Sequence, residues 1–136
     1  MEHTRKCGSC AACCQALGIT QLPEPKCAGD MCPHAKSGGT RRCLIYESRP
    51  AECKKFSCLW QVGGLPNRLR PNDTGVVVSV QESHMGPAFV FHEVEKGDLL
   101  RPKAFDTVAR VMALARVSGA HVMHIDHDGK VSVIIE

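Results

Sequence analysis

The sequence predicts an α+β protein built from two unlike parts. All nine cysteines of the 136 residues lie between Cys7 and Cys58, where frequent glycine and proline predict loops and short helices. From residue 67 onward, the apolar pattern predicts two strands, a helix and two more strands. We therefore divide the chain into residues 1–66 and 67–136, and expect both parts to pack into one compact domain.

The first cysteine-rich segment, KCGSCAACCQ, places four thiols within eight positions. A helix starting near Ser9, a good N-cap residue, would bring Cys7, Cys10, Cys13 and Cys14 onto one side. Adjacent Cys13 and Cys14 are poorly placed to bind the same tetrahedral ion. The pair therefore favours two different metal ions, or one thiolate that bridges them.

A long loop follows at residues 18–42, which contain three prolines and four glycines. A loop of this length in a compact domain needs something to hold it. Cys27 and Cys32 bound to a metal would hold it, and His34 is a candidate for a further ligand.

The cysteine-rich half ends with the segment RCLIYESRPAECKKFSCLW. It predicts a short extended piece at residues 43–46, and then a helix that opens at Pro50, a favoured first-turn residue. Cys53 and Cys58 would lie about 140° apart on a continuous helix. Because they would not share a face, we expect the helix to end or bend near Ser57.

The second half predicts a β-β-α-β-β unit with a mostly antiparallel sheet. The segments GVVVSVQ and PAFVFHEVE are typical of strands, and AHVMHIDHDGKVSVII predicts two strands joined by a turn at Asp128–Gly129. The helix between them has Pro102 in its first turn, an Asp106–Arg110 pair and Gly119 as its end. The apolar positions predicted to share its buried face are Phe105, Val108, Met112 and Ala115.

Metal binding explains the cysteines better than disulfides or redox catalysis. The N-terminal residues MEHTRKCGSC contain no apolar signal segment, and no run of the sequence is long enough to cross a membrane. We therefore expect a cytoplasmic protein, in which thiols stay reduced. An odd cysteine count also disfavours a closed disulfide framework. A thioredoxin-like site would need one CxxC at a helix start within a βαβ unit, but here the motif is doubled and precedes the strands.

The metal itself stays open between zinc and iron. Nine thiolates suit two or three zinc ions, either as two four-cysteine sites with one spare thiol or as a cluster with bridging sulfurs. Four thiolates also bind iron–sulfur clusters, although the Cys-Pro that ends the bacterial ferredoxin run is missing. The predicted metal ligands are Cys7, Cys10, Cys13, Cys14, Cys27, Cys32, Cys43, Cys53 and Cys58.

Other charged and histidine-rich groups favour structural roles. His121, His124 and His127 lie near Asp126 and Asp128, but the spacing places His124 on the opposite strand face from the other two. We interpret this group as a polar strand end that runs into a hairpin. The basic residues near the cysteines favour charge compensation over phosphate binding: Arg41, Arg42, Arg49, Lys54 and Lys55.

The formal net charge of +3 gives little reason to expect a nucleic-acid partner. Each zinc ion bound by four thiolates adds a charge of about −2, so two such sites would outweigh the basic excess. The sequence contains no phosphate-binding glycine loop, no nucleophile elbow and no zinc-protease motif. We assign no catalytic residues, and whether the protein is an enzyme stays open.

The cysteine pattern resembles a bacterial family, the CxxCxxCC zinc- or iron-chelating cysteine-cluster (YkgJ-like) family, which is related to a segment of flagellin lysine-N-methylases. The resemblance covers about residues 7–60 and implies metal chelation without implying a reaction. The remaining length leaves no room for a separate methyltransferase domain. We expect metal ions as partners, together with a protein that the sequence does not identify. The matching positions are Cys7, Cys10, Cys13, Cys14, Cys43, Tyr46, Arg49, Pro50, Cys53 and Phe56.

Overall fold

The computed structural model describes residues 58–83, 86–126 and 128–135. The helices and loops predicted before residue 58 lie outside these residues. The described part is an α+β unit made of one mixed four-stranded sheet and one long helix, as the sequence predicts for this half. The elements in chain order are α1 (Pro71–Thr74), β1 (Val76–Ser83), β2 (Gly86–Glu93), α2 (Phe105–Ser118), β3 (His121–Ile125) and β4 (Val131–Ile135).

The strands lie in the order β1-β2-β3-β4, so each neighbour in sequence is also a neighbour in the sheet. β1 and β2 form an antiparallel hairpin that runs from the Val76↔Glu93 pair to the Ser83↔Gly86 pair. β3 is parallel to β2 and antiparallel to β4. Two of the three pairings are thus antiparallel, as expected, and α2 supplies the crossover that the parallel pair needs.

The helix α2 ends where the sequence predicts but begins later. Gly119 adopts a left-handed conformation with φ of 71°, and its N–H donates to the carbonyl of Ala115. Pro102 is not in the first turn of α2, because Pro102–Ala104 forms a separate 3-10 turn before it.

The buried face of α2 agrees with the prediction at Ala115, which is buried, and at Val108 and Met112, which are partly buried against the core, but not at Phe105. Thr107, Val111 and Ala115 are buried, whereas Phe105 is 59% exposed. The burial of Thr107 was not predicted, because the pattern used for the helix counted only apolar residues and threonine carries a hydroxyl. Phe105 therefore lies outside the core, contrary to the prediction.

The two faces of the sheet carry different groups. Side chains alternate along each strand, so the printed registers assign Val76, Val78, Phe91 and Val122 to one face. We call it the helix face, because these four residues form one buried cluster with Val111 and Ala115 of α2. The opposite face, here called the His92 face, carries Val77, Ser79, Ala88, Val90 and His92, all of them buried.

The segment before α1 belongs to the same core. Leu59, Trp60 and Leu65 are buried in the cluster that includes the sheet and α2. The Trp60 indole N–H donates to the carbonyl of Asn67 at 3.0 Å, and the Arg70 guanidinium lies 5.9 Å from the centre of the indole ring. The segment before α1 therefore packs in the same core as the sheet and α2.

Candidate functional site

Cys58 lies at the outer edge of β1. It forms an isolated antiparallel bridge with Ser79, and the N–H of Leu59 donates to the carbonyl of Val78 at 2.7 Å. Residues that face each other across an antiparallel pair project to the same side, so Cys58 belongs to the His92 face. Its thiol is buried and forms no disulfide. Of the nine predicted metal ligands, Cys58 is the one whose position the structure describes.

A buried polar contact crosses the His92 face next to Cys58. The Ser79 hydroxyl oxygen lies 2.8 Å from His92 Nε2, and the Gln81 side-chain amide donates to the same hydroxyl at 2.9 Å. A hydroxyl and an imidazole at this distance resemble the first contact of a nucleophilic dyad. Because Ser79 and His92 are both buried, a substrate has no access to this hydroxyl. The contact instead links β1 to β2 inside the protein.

His92 is kept neutral by its position. Burial and, as the smaller cause, the nearby charge of His124 together lower the pKa of His92 from 6.5 to about 4. A protonated imidazole loses hydration when it is buried, and a second positive charge nearby disfavours it further, so the neutral form is preferred. At neutral pH the Ser79–His92 contact is therefore a hydrogen bond between two uncharged groups.

A second histidine lies on the helix face at the same end of the sheet. His124 Nε2 is 3.2 Å from Glu93 Oε1, and Glu93 Oε2 accepts the backbone N–H of Leu99 at 3.0 Å. Glu93 is buried and His124 is about one fifth exposed. The carboxylate therefore ties β2 to the loop after it, while His124 Nε2 lies beside it without an aligned hydrogen bond.

The histidine- and aspartate-rich segment forms a strand end and a turn, as interpreted from the sequence. Asp126 Oδ1 accepts the N–H groups of Asp128 at 3.0 Å and Lys130 at 2.9 Å. These hydrogen bonds from the backbone of Lys130 and then of Asp128 lower the pKa of Asp126. Gly129 has φ of 86°, the left-handed conformation that a tight turn at Asp128–Gly129 requires. His127 lies outside the described residues.

Among the described residues, Asp98 has the most deeply buried carboxylate, and its partners lie in the loop around it. Asp98 accepts the N–H of Glu95 at 3.0 Å and lies 3.3 Å from Arg101 and 3.5 Å from Lys103. Gly75, with φ of 79°, leaves the space that Asp98 occupies, because a Cβ there would collide with its carboxylate. Asp98 therefore holds the loop before α2 together and packs closely against Gly75, the residue before β1.

Within residues 58–83, 86–126 and 128–135, no group of three or more His, Cys, Asp or Glu side chains could hold a metal ion. Eight of the nine predicted cysteine ligands lie outside the described residues, and so do His34 and the basic residues near the cysteines. The sequence analysis did not identify the Ser79–His92 contact. Its signal was a serine and a histidine within two otherwise apolar strands, VVVSV and FVFH.

Compared with known proteins, the chain matches no family model, no curated protein and no solved structure. Among the helices that the structure describes, none is long and apolar enough to cross a membrane.

Proposed function

We propose that the protein holds a multinuclear zinc–thiolate centre and acts as a structural or zinc-handling module. The observation that carries the proposal is the concentration of all nine cysteines between Cys7 and Cys58, four of them in CxxCxxCC. Thiolates are the ligands that zinc prefers, and short cysteine spacings supply them in pairs. The proposed ligands are Cys7, Cys10, Cys13, Cys14, Cys27, Cys32, Cys43, Cys53 and Cys58, which would hold two or three zinc ions.

The position of Cys58 in the fold also supports the proposal. The backbone next to Cys58 is bonded to β1, so a metal bound by this thiolate would be attached to a packed sheet. Metal–thiolate bonds could then stabilise a sequence too rich in glycine, proline and lysine to fold by apolar burial alone. Membership of the CxxCxxCC family and a cytoplasmic location are parts of the same proposal.

Elemental analysis of anaerobically purified protein tests the proposal, with thiols counted before and after denaturation. We expect two or three zinc ions per chain and thiols that react only after denaturation. Chelation should also remove the structure of residues 7–60 while the sheet survives in part, which far-UV circular dichroism would detect. A metal-free chain with nine thiols reactive in the native state would exclude a zinc centre.

Variants of the two paired residues Cys58 and Ser79 distinguish an effect on metal binding from an effect on folding. Cys58→Ser removes one proposed ligand, so we expect a lower zinc content or faster loss of zinc to a chelator. Ser79→Ala alters the residue that pairs with Cys58 but keeps every thiol, so the zinc content should not change. Equal zinc content and equal loss rates in the two variants would remove Cys58 from the ligand set.

An iron–sulfur cluster with an electron-transfer or accessory enzymatic role is the second candidate. It is favoured by the Cys7, Cys10 and Cys13 spacing, because clusters bind closely spaced thiolates. The two candidates differ in colour. Absorption between about 320 and 450 nm with matching iron and sulfide would establish the cluster, whereas zinc sites are colourless.

A further inference from the structure

The His92 face of the sheet is buried, although α2 packs on the opposite face. Ala88 and Val90 are each 1% exposed, which makes them as buried as Val76 and Val78 on the helix face. Ala88 and Val90 nevertheless lie outside the buried cluster that joins the helix face to α2 and to the segment before α1. Neighbouring strands shield a side chain only from the sides. A further segment must therefore cover the ends of these side chains.

The covered area has a definite outline. Along β1, burial ends between Ser79 and Gln81, which is exposed on the same face. Across the sheet, burial decreases from Val90 of β2 through the half-buried Met123 of β3 to Val133 of β4, which is 47% exposed. The covering segment therefore lies over β1 and β2. Two strands span about 10 Å, which is the width of one α-helix.

The covering segment belongs to the same chain. The exposed fractions are those of a single chain, so a second molecule is not needed to explain them. Within the described residues, the segment before α1 lies beside α2, because Arg68 pairs with Asp106. Outside the described residues lie 1–57 and four others, 84, 85, 127 and 136. Those four are too few to cover this area, which leaves residues 1–57.

The end of this stretch is the part best placed to cover β1 and β2. Cys58 lies on the His92 face at the outer edge of β1, and two residues extend over at most about 7 Å. Phe56 is therefore within reach of the covered area. In the helix predicted from Pro50, one face carries Pro50, Cys53 and Phe56, three residues apart. The charged residues would lie away from that face: Glu52, Lys54 and Lys55.

We propose that residues 50–57 form a helix that packs across β1 and β2 on the His92 face, with the ring of Phe56 against Val90. Ser79 and Ala88 beside Val90 are small, so they leave room for an aromatic ring. The sheet would then be the middle layer between two helices, this one and α2, each covering an apolar face. The inference goes beyond metal binding and does not depend on which metal the cysteines bind.

Nuclear Overhauser effects test the packing in the full-length protein, purified anaerobically and kept with reductant. Phenylalanine rings and valine methyl groups carry the only protons on carbon in an otherwise deuterated chain. We expect contacts between the Phe56 ring and the Val90 methyl groups, and none between Phe56 and Val122, which is buried on the helix face. Absence of the Phe56–Val90 contact would overturn the proposal, whatever other segment Val90 touches.

A matched pair of alanine variants tests whether Phe56 covers Val90. A soluble paramagnetic chelate broadens the methyl signals that it can approach. In the wild type, Val90 should be as protected as Val122, whereas Val133 should be broadened. Phe56→Ala removes the covering ring, so the Val90 signals should broaden towards the level of Val133. Phe105→Ala removes a ring that is 59% exposed on α2 and should leave Val90 protected.

The Val122 signals show whether the variants remain folded, because Val122 is fully buried between the sheet and α2. Equal protection of Val90 in the two variants, with Val122 protected in both, would overturn the proposal. If Phe56→Ala exposes Val122 as well, the variant has unfolded, and the Phe56–Val90 contact in the wild type decides.

Discussion

β1 and β4 are composed of nearly the same residues and have opposite surroundings. β1 begins VVVSV, and its first four side chains are buried. β4 reads VSVII, and its side chains from Val131 to Ile134 are exposed. Both segments favour extended backbone because valine and isoleucine fit a pleated sheet. The difference shows that strand formation is encoded locally, whereas burial depends on what packs on the strand.

The burial changes stepwise across the sheet. On the His92 face, Ser79 and Val90 of β1 and β2 are buried, Met123 of β3 is half-buried, and Val133 of β4 is exposed. Stability should therefore depend strongly on β1 and β2 and weakly on β4. Identical substitutions at the two ends of this gradient test that statement directly.

The largest effect is expected for Phe91→Ala. Phe91 is fully buried on the helix face, and removing a buried aromatic ring costs about 3–5 kcal/mol of the free energy of unfolding. The matched control is Phe105→Ala at the start of α2, which should change it by less than about 1 kcal/mol because Phe105 is largely exposed. Urea denaturation measures both. A larger loss for Phe105→Ala would contradict the observed orientation of α2.

The second effect is the dependence of stability on pH through His92. Burial first, and the charge of His124 second, lower the pKa of His92 to about 4 in the folded protein. Between about pH 4 and pH 6.5 the unfolded chain therefore binds the proton more readily than the folded one. The stabilisation is fully present above about pH 6.5 and is lost as the pH falls towards 4, by roughly 3 kcal/mol in total.

Urea denaturation at intervals over this pH range measures the loss, with metal content checked at each pH. His92→Gln removes the titrating group, so the difference between the wild-type and variant curves isolates its contribution from those of the other histidines and of any bound metal. If the two curves run parallel between pH 4 and pH 6.5, His92 does not titrate there.

The third effect compares one substitution in the two similar strands. Val78→Ala removes two methyl groups from a buried position and should cost about 2 kcal/mol. Val133→Ala should cost less than about 0.5 kcal/mol, because Val133 is 47% exposed. Comparable losses at both positions would mean that Val133 is covered in solution.

The sequence predicts the order of the elements in the second half because each has a local signal. The alternation in PAFVFHEVE, the stop at Gly119 and the Asp128–Gly129 turn all depend on residues close in the chain. The parallel pairing of β2 with β3 and the burial of Thr107 depend on contacts between distant residues. No periodicity within one segment contains that information.

The same distinction separates the candidate sites. Cysteine spacing predicts metal ligands because a chelating pair is local in sequence. The contact between Ser79 and His92 could not be predicted in this way, since it depends on the register of two strands. Its visible trace was a pair of polar residues in apolar strands, which is a signal for burial with a partner rather than for a particular chemistry.

The smallest effect is expected at the exposed surface of α2. Asp106 pairs with Arg68 and Arg110, and the hydrogen bond from Arg68 is the main reason that the pKa of Asp106 is lowered. Because the three side chains are 40–61% exposed to water, ions should screen the attraction. Asp106→Asn should lower the melting temperature slightly at low salt, and the difference from the wild type should vanish at about 0.5 M NaCl.

Asp73→Asn is the control, because it removes the same charge from an exposed position on α1. A lower melting temperature of Asp106→Asn that persists in high salt would show that hydrogen bonds of Asp106 stabilise α2 in addition to its charge.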